Sequence, residues 1–232
     1  IDSEHRFDIK QEVISKSAFW VTKKRYGQWI INDGGLKCEK LDVKGLDIVR
    51  SSFPPAFRDF MTKVLKAILM KVDKEKIDEF ILNFKKNLNQ ESIDDIALPT
   101  GVKGLAKYTK KQTNNTFKTN SMFTEMEKGA PVYVKASIIY NDLLKHYHAT
   151  NHELIKNASK IRWVYLKDNP FNIDVVAFKG YDDPKEIIDF INRYIDRDKI
   201  FDNALKKKIQ MFYDSMKWDM PVDKKVSIER FF

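Results

Sequence analysis

The first stretch of the chain with a legible pattern is Ala18 to Ile31 (AFWVTKKRYGQWII), where aromatic and β-branched residues crowd together. That composition predicts one or two β-strands, because such side chains pack well on a pleated surface. Asn32-Asp33-Gly34-Gly35 follows, four residues that tolerate positive φ, and it predicts a hairpin with Leu36 to Val43 as the return strand. Ser52-Phe53-Pro54-Pro55 stops the sheet, and the apolar period then changes. Phe57, Phe60, Met61, Val64, Leu65 and Ile68 recur at helical spacing, with Ser52 or a neighbour as cap and the prolines suited to a first turn. Asp73 is the expected cap of a second helix striped by Ile77, Phe80, Ile81, Phe84 and Leu88.

Residues 99–120 lose periodicity and contain two glycines and three asparagines, which reads as a basic loop with at most one short helix. Helix returns over Lys135–His148 and is expected to continue near Glu153. Strands are expected at Ile161–Leu166 and Val175–Phe178, parted by the turn Asp168-Asn169-Pro170, and helices at Pro184–Tyr194 and Arg197–Met216. Beyond Pro221 the sequence VDKKVSIERFF reads as a flexible tail. The expected fold class is α+β: a small antiparallel sheet, then a mainly helical body with a few strands, then the tail.

Composition sharpens this plan. Nowhere do eighteen apolar residues run together, so no helical membrane span is expected. Cys38 is the single cysteine, which rules out an internal disulfide or a cysteine-built zinc cage and fits a reducing cytoplasm. The first ten residues are mostly polar, unlike a signal peptide. The chain opens on Ile1 rather than Met, as a processed or truncated product would. Net charge is +9, and its placement matters more than its size. No acid falls between Glu12 and Asp33, where Lys16, Lys23, Lys24 and Arg25 lie. None falls between Asp95 and Glu125, where Lys103, Lys107, Lys110, Lys111 and Lys118 lie. Two acid-free basic windows point to phosphate contact.

Several segments, in order, resemble the C-terminal region of T-even-like phage DNA polymerases of the B family. Phe19-Trp20-Val21-Thr22-Lys23-Lys24-Arg25-Tyr26 is similar to the family's aromatic-x-x-Lys-Lys-Arg-Tyr strand at the end of the palm. Lys44-Gly45-Leu46-Asp47-Ile48-Val49-Arg50-Ser51-Ser52 resembles the segment leading into the thumb. Gly104-Leu105-Ala106-Lys107-Tyr108 resembles the thumb's Ile-Ala-Lys-Tyr stretch, and Asp168-Asn169-Pro170-Phe171 its Gly-Asn-Pro-Phe turn. Residues 109–130 depart from the family pattern, and Asp168 stands where the family has glycine. The resemblance implies a palm end at 1–53, a thumb at 54–221 and a sliding-clamp-binding tail at 222–232.

It also implies roles. Lys23, Lys24, Arg25 and Tyr26, placed on a strand, would share faces in alternate pairs and test the minor groove of a new primer terminus, whose acceptors are common to correct base pairs. Lys44 and Arg50 would grip primer phosphates. Lys103, Lys107, Tyr108, Lys110 and Lys111 would hold duplex phosphates without reading sequence. Ile228, Phe231 and Phe232 have clamp-peptide spacing, with Lys225 where a glutamine is usual. The implied partners are primer–template DNA, a sliding clamp and an N-terminal polymerase part carrying the catalytic palm, in the cytoplasm of an infected bacterium. Neither the Asp-Thr-Asp strand nor the Ser-Leu-Tyr-Pro-Ser segment of the family occurs here. Mg2+ is therefore expected in the complete polymerase and no catalytic or metal residue on this chain, which would be inactive alone.

Bland readings stand beside these. Asp196-Arg197-Asp198 lies at a helix junction, where Asp198 reads as a cap. His146, His148 and His152 read as solvated, since only the last two would share a helix face. A non-enzymatic DNA-binding or clamp-regulating protein of thumb-like architecture is the alternative function, and a nuclease or transferase finds no supporting constellation.

Overall fold

The computed structural model describes residues 10–109, 116–119 and 121–222. In chain order the elements are β1 (Val13–Thr22), β2 (Arg25–Asp33), β3 (Leu36–Lys44), α1 (Pro55–Leu69), α2 (Lys74–Asn87), α3 (Ile93–Ile96), β4 (Leu98–Gly101) and α4 (Leu105–Thr109). They continue with β5 (Thr116–Phe117), β6 (Met126–Glu127), α5 (Val132–His146), β7 (Lys160–Tyr165), β8 (Val175–Phe178), α6 (Lys185–Tyr194), α7 (Arg197–Ile200) and α8 (Lys207–Met216). A π-helical segment, Phe201–Lys206, joins α7 to α8. The class is α+β with small antiparallel sheets, as the sequence predicts.

Two compact units emerge, and neither is continuous in sequence. The first takes residues up to Arg50, Arg58–Phe84 and Lys208 onward. Its sheet is an antiparallel meander in the order β1-β2-β3. The β2–β3 turn is the expected one: Gly34 and Gly35 carry φ of +58° and +90°, and Asn32 Oδ1 accepts from the Gly35 amide at 2.9 Å. The β1–β2 turn departs from expectation. Lys23 and Lys24 form it themselves, and neither has positive φ. A register shift between Trp20 and Thr22 lets the strands close around them without the usual glycine or asparagine.

One face of this sheet is packed. Phe19 opposes Gly27 across the strands, and the Phe19 ring meets Phe212 of α8 edge-on at 5.2 Å. Gly27 leaves room for Leu65 of α1; a Cβ there would stand 2.7 Å from a Leu65 methyl. Phe60 of α1 stacks on Phe80 and Phe84 of α2 at 5.0 and 4.1 Å. The Tyr213 hydroxyl, on α8, donates to Asp78 of α2 at 2.5 Å. The apolar stripes read from the sequence thus become one buried core of Phe19, Phe60, Leu65, Ile77, Ile81 and Phe212.

The second unit comprises Ser51–Phe57 and Lys85–Lys207. Its sheet runs β4-β7-β8, all antiparallel, with Leu98 opposite Trp163 and Trp163 opposite Ala177. β8 (VVAF) is buried throughout and α5 packs against it. The core centres on Tyr140, Val164, Val176, Phe178 and Ile191. Polar groups inside are tied off. Asp183 accepts from the Tyr140 hydroxyl at 2.8 Å and from the amides of Lys179 and Gly180. Asp142 accepts from the Thr124 amide at 2.7 Å. Arg197 donates to the carbonyls of Leu88 and Glu91, both at 2.8 Å. Several details differ from the sequence reading. β4 and β5 form where a loop is expected, α5 ends at His146 instead of continuing toward Glu153, and the long last helix is split by its π segment.

Candidate nucleic-acid interface

The first unit carries six of the implied DNA-binding residues. Lys23 and Lys24 occupy the β1–β2 turn and are exposed, and among the described residues neither forms an ion pair. Their expected placement on a strand is corrected here. A turn presents both ammonium groups to solvent together, whereas a strand would send them to opposite faces. Gly45 explains why this turn is held so closely. Its φ is +67° and a Cβ would collide with the Lys24 carbonyl oxygen, so β3 ends against the turn backbone only because residue 45 has no side chain.

Arg25 and Tyr26 part company after the turn. Arg25 leans toward α8, its guanidinium 3.6 Å from Met211 Sδ, and is half-buried. Tyr26 lies on the other face, where it opposes both Trp20 of β1 and Lys44 of β3. The Trp20 and Tyr26 rings lie 4.3 Å apart between centroids, inclined at 36°. The expected pairs, Lys23 with Arg25 and Lys24 with Tyr26, are therefore replaced by a Trp20–Tyr26–Lys44 row beside a lysine turn.

Lys44 and Arg50 are both exposed and each has an acidic neighbour. Lys44 Nζ lies 3.5 Å from Asp42, and Arg50 lies 3.1 Å from Asp47. Asp47 also holds Lys208 of α8 at 2.8 Å. One carboxylate thus anchors two cations, Arg50 and Lys208, leaving that cluster with a net charge of about +1. Asp42 is itself fixed by Gln28 at 3.2 Å, whose other amide atom accepts from Ser15 at 2.7 Å.

The second unit carries Lys103, Lys107 and Tyr108. Lys103 and Lys107 are exposed, with the Lys107 ammonium 5.4 Å from the Tyr108 ring centroid. Tyr108 is half-buried and packs beside Met126, Val134 and Ile138 with Leu105, Phe117 and Tyr133. The chain enters α4 through Gly104, φ +81°, and Asn157 Oδ1 accepts from the Leu105 amide at 3.0 Å. Tyr108 is thus a packing residue with an edge in solvent, while the lysines are the exposed cations of this segment. Lys110, Lys111, Ile228, Phe231 and Phe232 lie outside the described residues.

The remaining polar candidates have structural roles. Asp196, not Asp198, caps α7, its side chain accepting from the Lys199 amide at 2.9 Å. His146 packs edge-on against Phe171 at 5.2 Å, His148 lies two residues beyond α5 with φ +53°, and His152 Nδ1 meets the Asp182 carbonyl at 2.7 Å. Among the described residues no group of three His, Cys, Asp or Glu converges to hold a metal ion. No step of two-metal nucleotidyl transfer is assigned to the described residues.

Trp20, Asp47 and Lys208 are the site residues that sequence reasoning passes over. Even with the turn located at Lys23-Lys24, counting outward sets Val21 opposite Tyr26, and only the register shift between Trp20 and Thr22 brings Trp20 there. Lys208 carries no local signal either: it reaches Asp47 from far along the chain.

No helix among the described residues is long and apolar enough to cross a membrane. No curated protein matches the chain. Among known families, DNA polymerase family B matches residues 3–216. That match runs from before β1 to the last residue of α8, and the chain belongs to DNA polymerase family B.

Proposed function

We propose that this chain is the palm end, thumb and clamp-binding tail of a phage-type family B polymerase, gripping primer–template while the catalytic carboxylates and their Mg2+ ions reside on an N-terminal part. The observation that carries the proposal is the Lys23-Lys24 turn: two exposed ammonium groups without an ion-pair partner among the described residues, on a turn whose backbone lies against Gly45, on a chain of this family. Cations without a carboxylate partner among the described residues cost little to bring against phosphates or groove acceptors, since no such partner must first be displaced. Lys44, Arg50, Lys103 and Lys107 extend the grip within their respective units, and the clamp is bound by Ile228, Phe231 and Phe232. Membership of the family supports a polymerase role, and the lack of an Asp-Thr-Asp motif in the sequence supports the division of labour.

Primer extension tests the proposal. The purified chain alone is expected to incorporate no nucleotide on a primed template, and addition of the N-terminal polymerase part is expected to restore synthesis. Incorporation by the purified chain alone overturns it.

A further inference from the structure

We propose that Trp20 and Tyr26 form a stacking platform for an unpaired base of a DNA strand, a site additional to the duplex contacts assigned above and resting on the same DNA-binding reading. Trp20 and Tyr26 are direct partners across β1 and β2, so both rings leave the same face of the sheet. They are already in contact with each other, at 4.3 Å, yet Trp20 remains 57% exposed. An indole left open to water on a strand, with a second ring locking its orientation, is a surface prepared for another flat group.

The surroundings say which flat group. Tyr26 is in turn the partner of Lys44, so a Trp–Tyr–Lys row crosses three strands in order, a track of roughly 10 Å at ordinary strand spacing. Lys23 and Lys24 stand at the adjoining turn. Aromatic faces flanked by cations match a nucleotide's own division into base and phosphate, and the match is indifferent to sequence because every base has a π-face. Within a duplex those faces are covered by neighbouring pairs and only edges are open in the grooves. The platform therefore selects an unpaired base, such as a frayed primer end or a template overhang.

The test uses the full chain, a twelve-nucleotide oligo(dT) and a blunt hairpin duplex of equal phosphate count. Trp20→Ala is expected to weaken oligo(dT) binding about ten-fold while leaving the hairpin within about two-fold, and Trp20→Phe to retain most of the affinity. Equal loss on both probes, or no loss on oligo(dT), overturns the platform. Should Trp20→Ala lower the thermal midpoint, a 2-aminopurine placed in the oligonucleotide decides instead. Its fluorescence is quenched by the wild-type chain if the base stacks, and absence of quenching overturns the proposal. Hairpin binding that survives while oligo(dT) is insensitive to Trp20 leaves the duplex grip standing and the platform refuted. Trp20-dependent oligo(dT) binding without hairpin binding supports the platform and refutes the duplex grip, and failure to bind either probe removes both.

Discussion

At the scale of single residues, three positions carry more than their size suggests. Gly45 meets two demands at once, a φ of +67° and the Lys24 carbonyl directly against its Cα. Gly45→Ala is expected to cost about 3 kcal/mol, read as a lowered urea midpoint, because any side chain must both adopt a strained backbone and push the turn away. Tyr213 and Tyr140 make a second case. Burial first, and then hydrogen bonds to Asp78 and Asp183 respectively, raise both phenols well above the ordinary tyrosine value. The folded chain keeps these protons while unfolded tyrosines release theirs above about pH 10, so their contribution is complete below that pH and declines as pH climbs past it. Urea midpoints of the wild type should therefore fall more steeply between about pH 9.5 and 11 than those of Tyr213→Phe. Equal slopes would show that the buried phenol is not what titrates. Gly45 was readable as part of a familiar segment, but its reason was not: the Lys24 carbonyl that forbids a side chain comes from the β1–β2 turn. The acidic partners of Tyr140 and Tyr213 were equally hidden, lying 43 and 135 residues away.

Elements were legible wherever one period dominated. The Phe57–Ile68 stripe appears as α1, beginning at Pro55, where its fixed φ is harmless. Val175–Phe178 appears as β8 with those bounds. The lysine turn was not legible because its chemistry is atypical: two lysines without positive φ, accommodated by a register shift that no local residue announces. The π segment at Phe201–Lys206 escaped for a similar reason, since no local residue marks where i→i+5 hydrogen bonds replace the i→i+4 ones. Two outcomes belong to this scale. Lys23→Ala with Lys24→Ala should weaken primer–template binding and reduce the slope of log affinity against log salt by about 1 to 2, with an unchanged thermal midpoint. An unchanged salt slope would mean that the turn meets no phosphate. Gly27→Ala should destabilise the contact between β2 and α1, and combining it with Leu65→Ala should cost less than the sum of the two, since the 2.7 Å overlap then vanishes. Strict additivity in a denaturation double-mutant cycle would contradict that contact.

For the whole molecule, charge and composition led no further than a basic, helix-rich chain with a small sheet. What they could not convey was the division into units, because Phe19 finds its partner in Phe212 and Asp47 in Lys208. Sequence proximity predicts neither pairing. The tail is the exception, a candidate site written in consecutive letters. Phe231→Ala with Phe232→Ala is expected to abolish clamp binding in calorimetry while leaving affinity for a short primer–template unaltered. Retained clamp affinity would reassign those residues.

The stitching of the first unit from three separated stretches has a consequence for how the chain is made. A ribosome delivers β1, β2 and β3 before α8, so the ring that covers Phe19 and the hydroxyl that reaches Asp78 emerge only after all of the intervening sequence. Until α8 leaves the exit tunnel, the packed face of that sheet is a half-closed seam. Most of the second unit, Lys85–Lys207, is complete by then and can settle on its own. Synthesis thus imposes an order on maturation: the second unit sets first, and the strands of the first wait for α8.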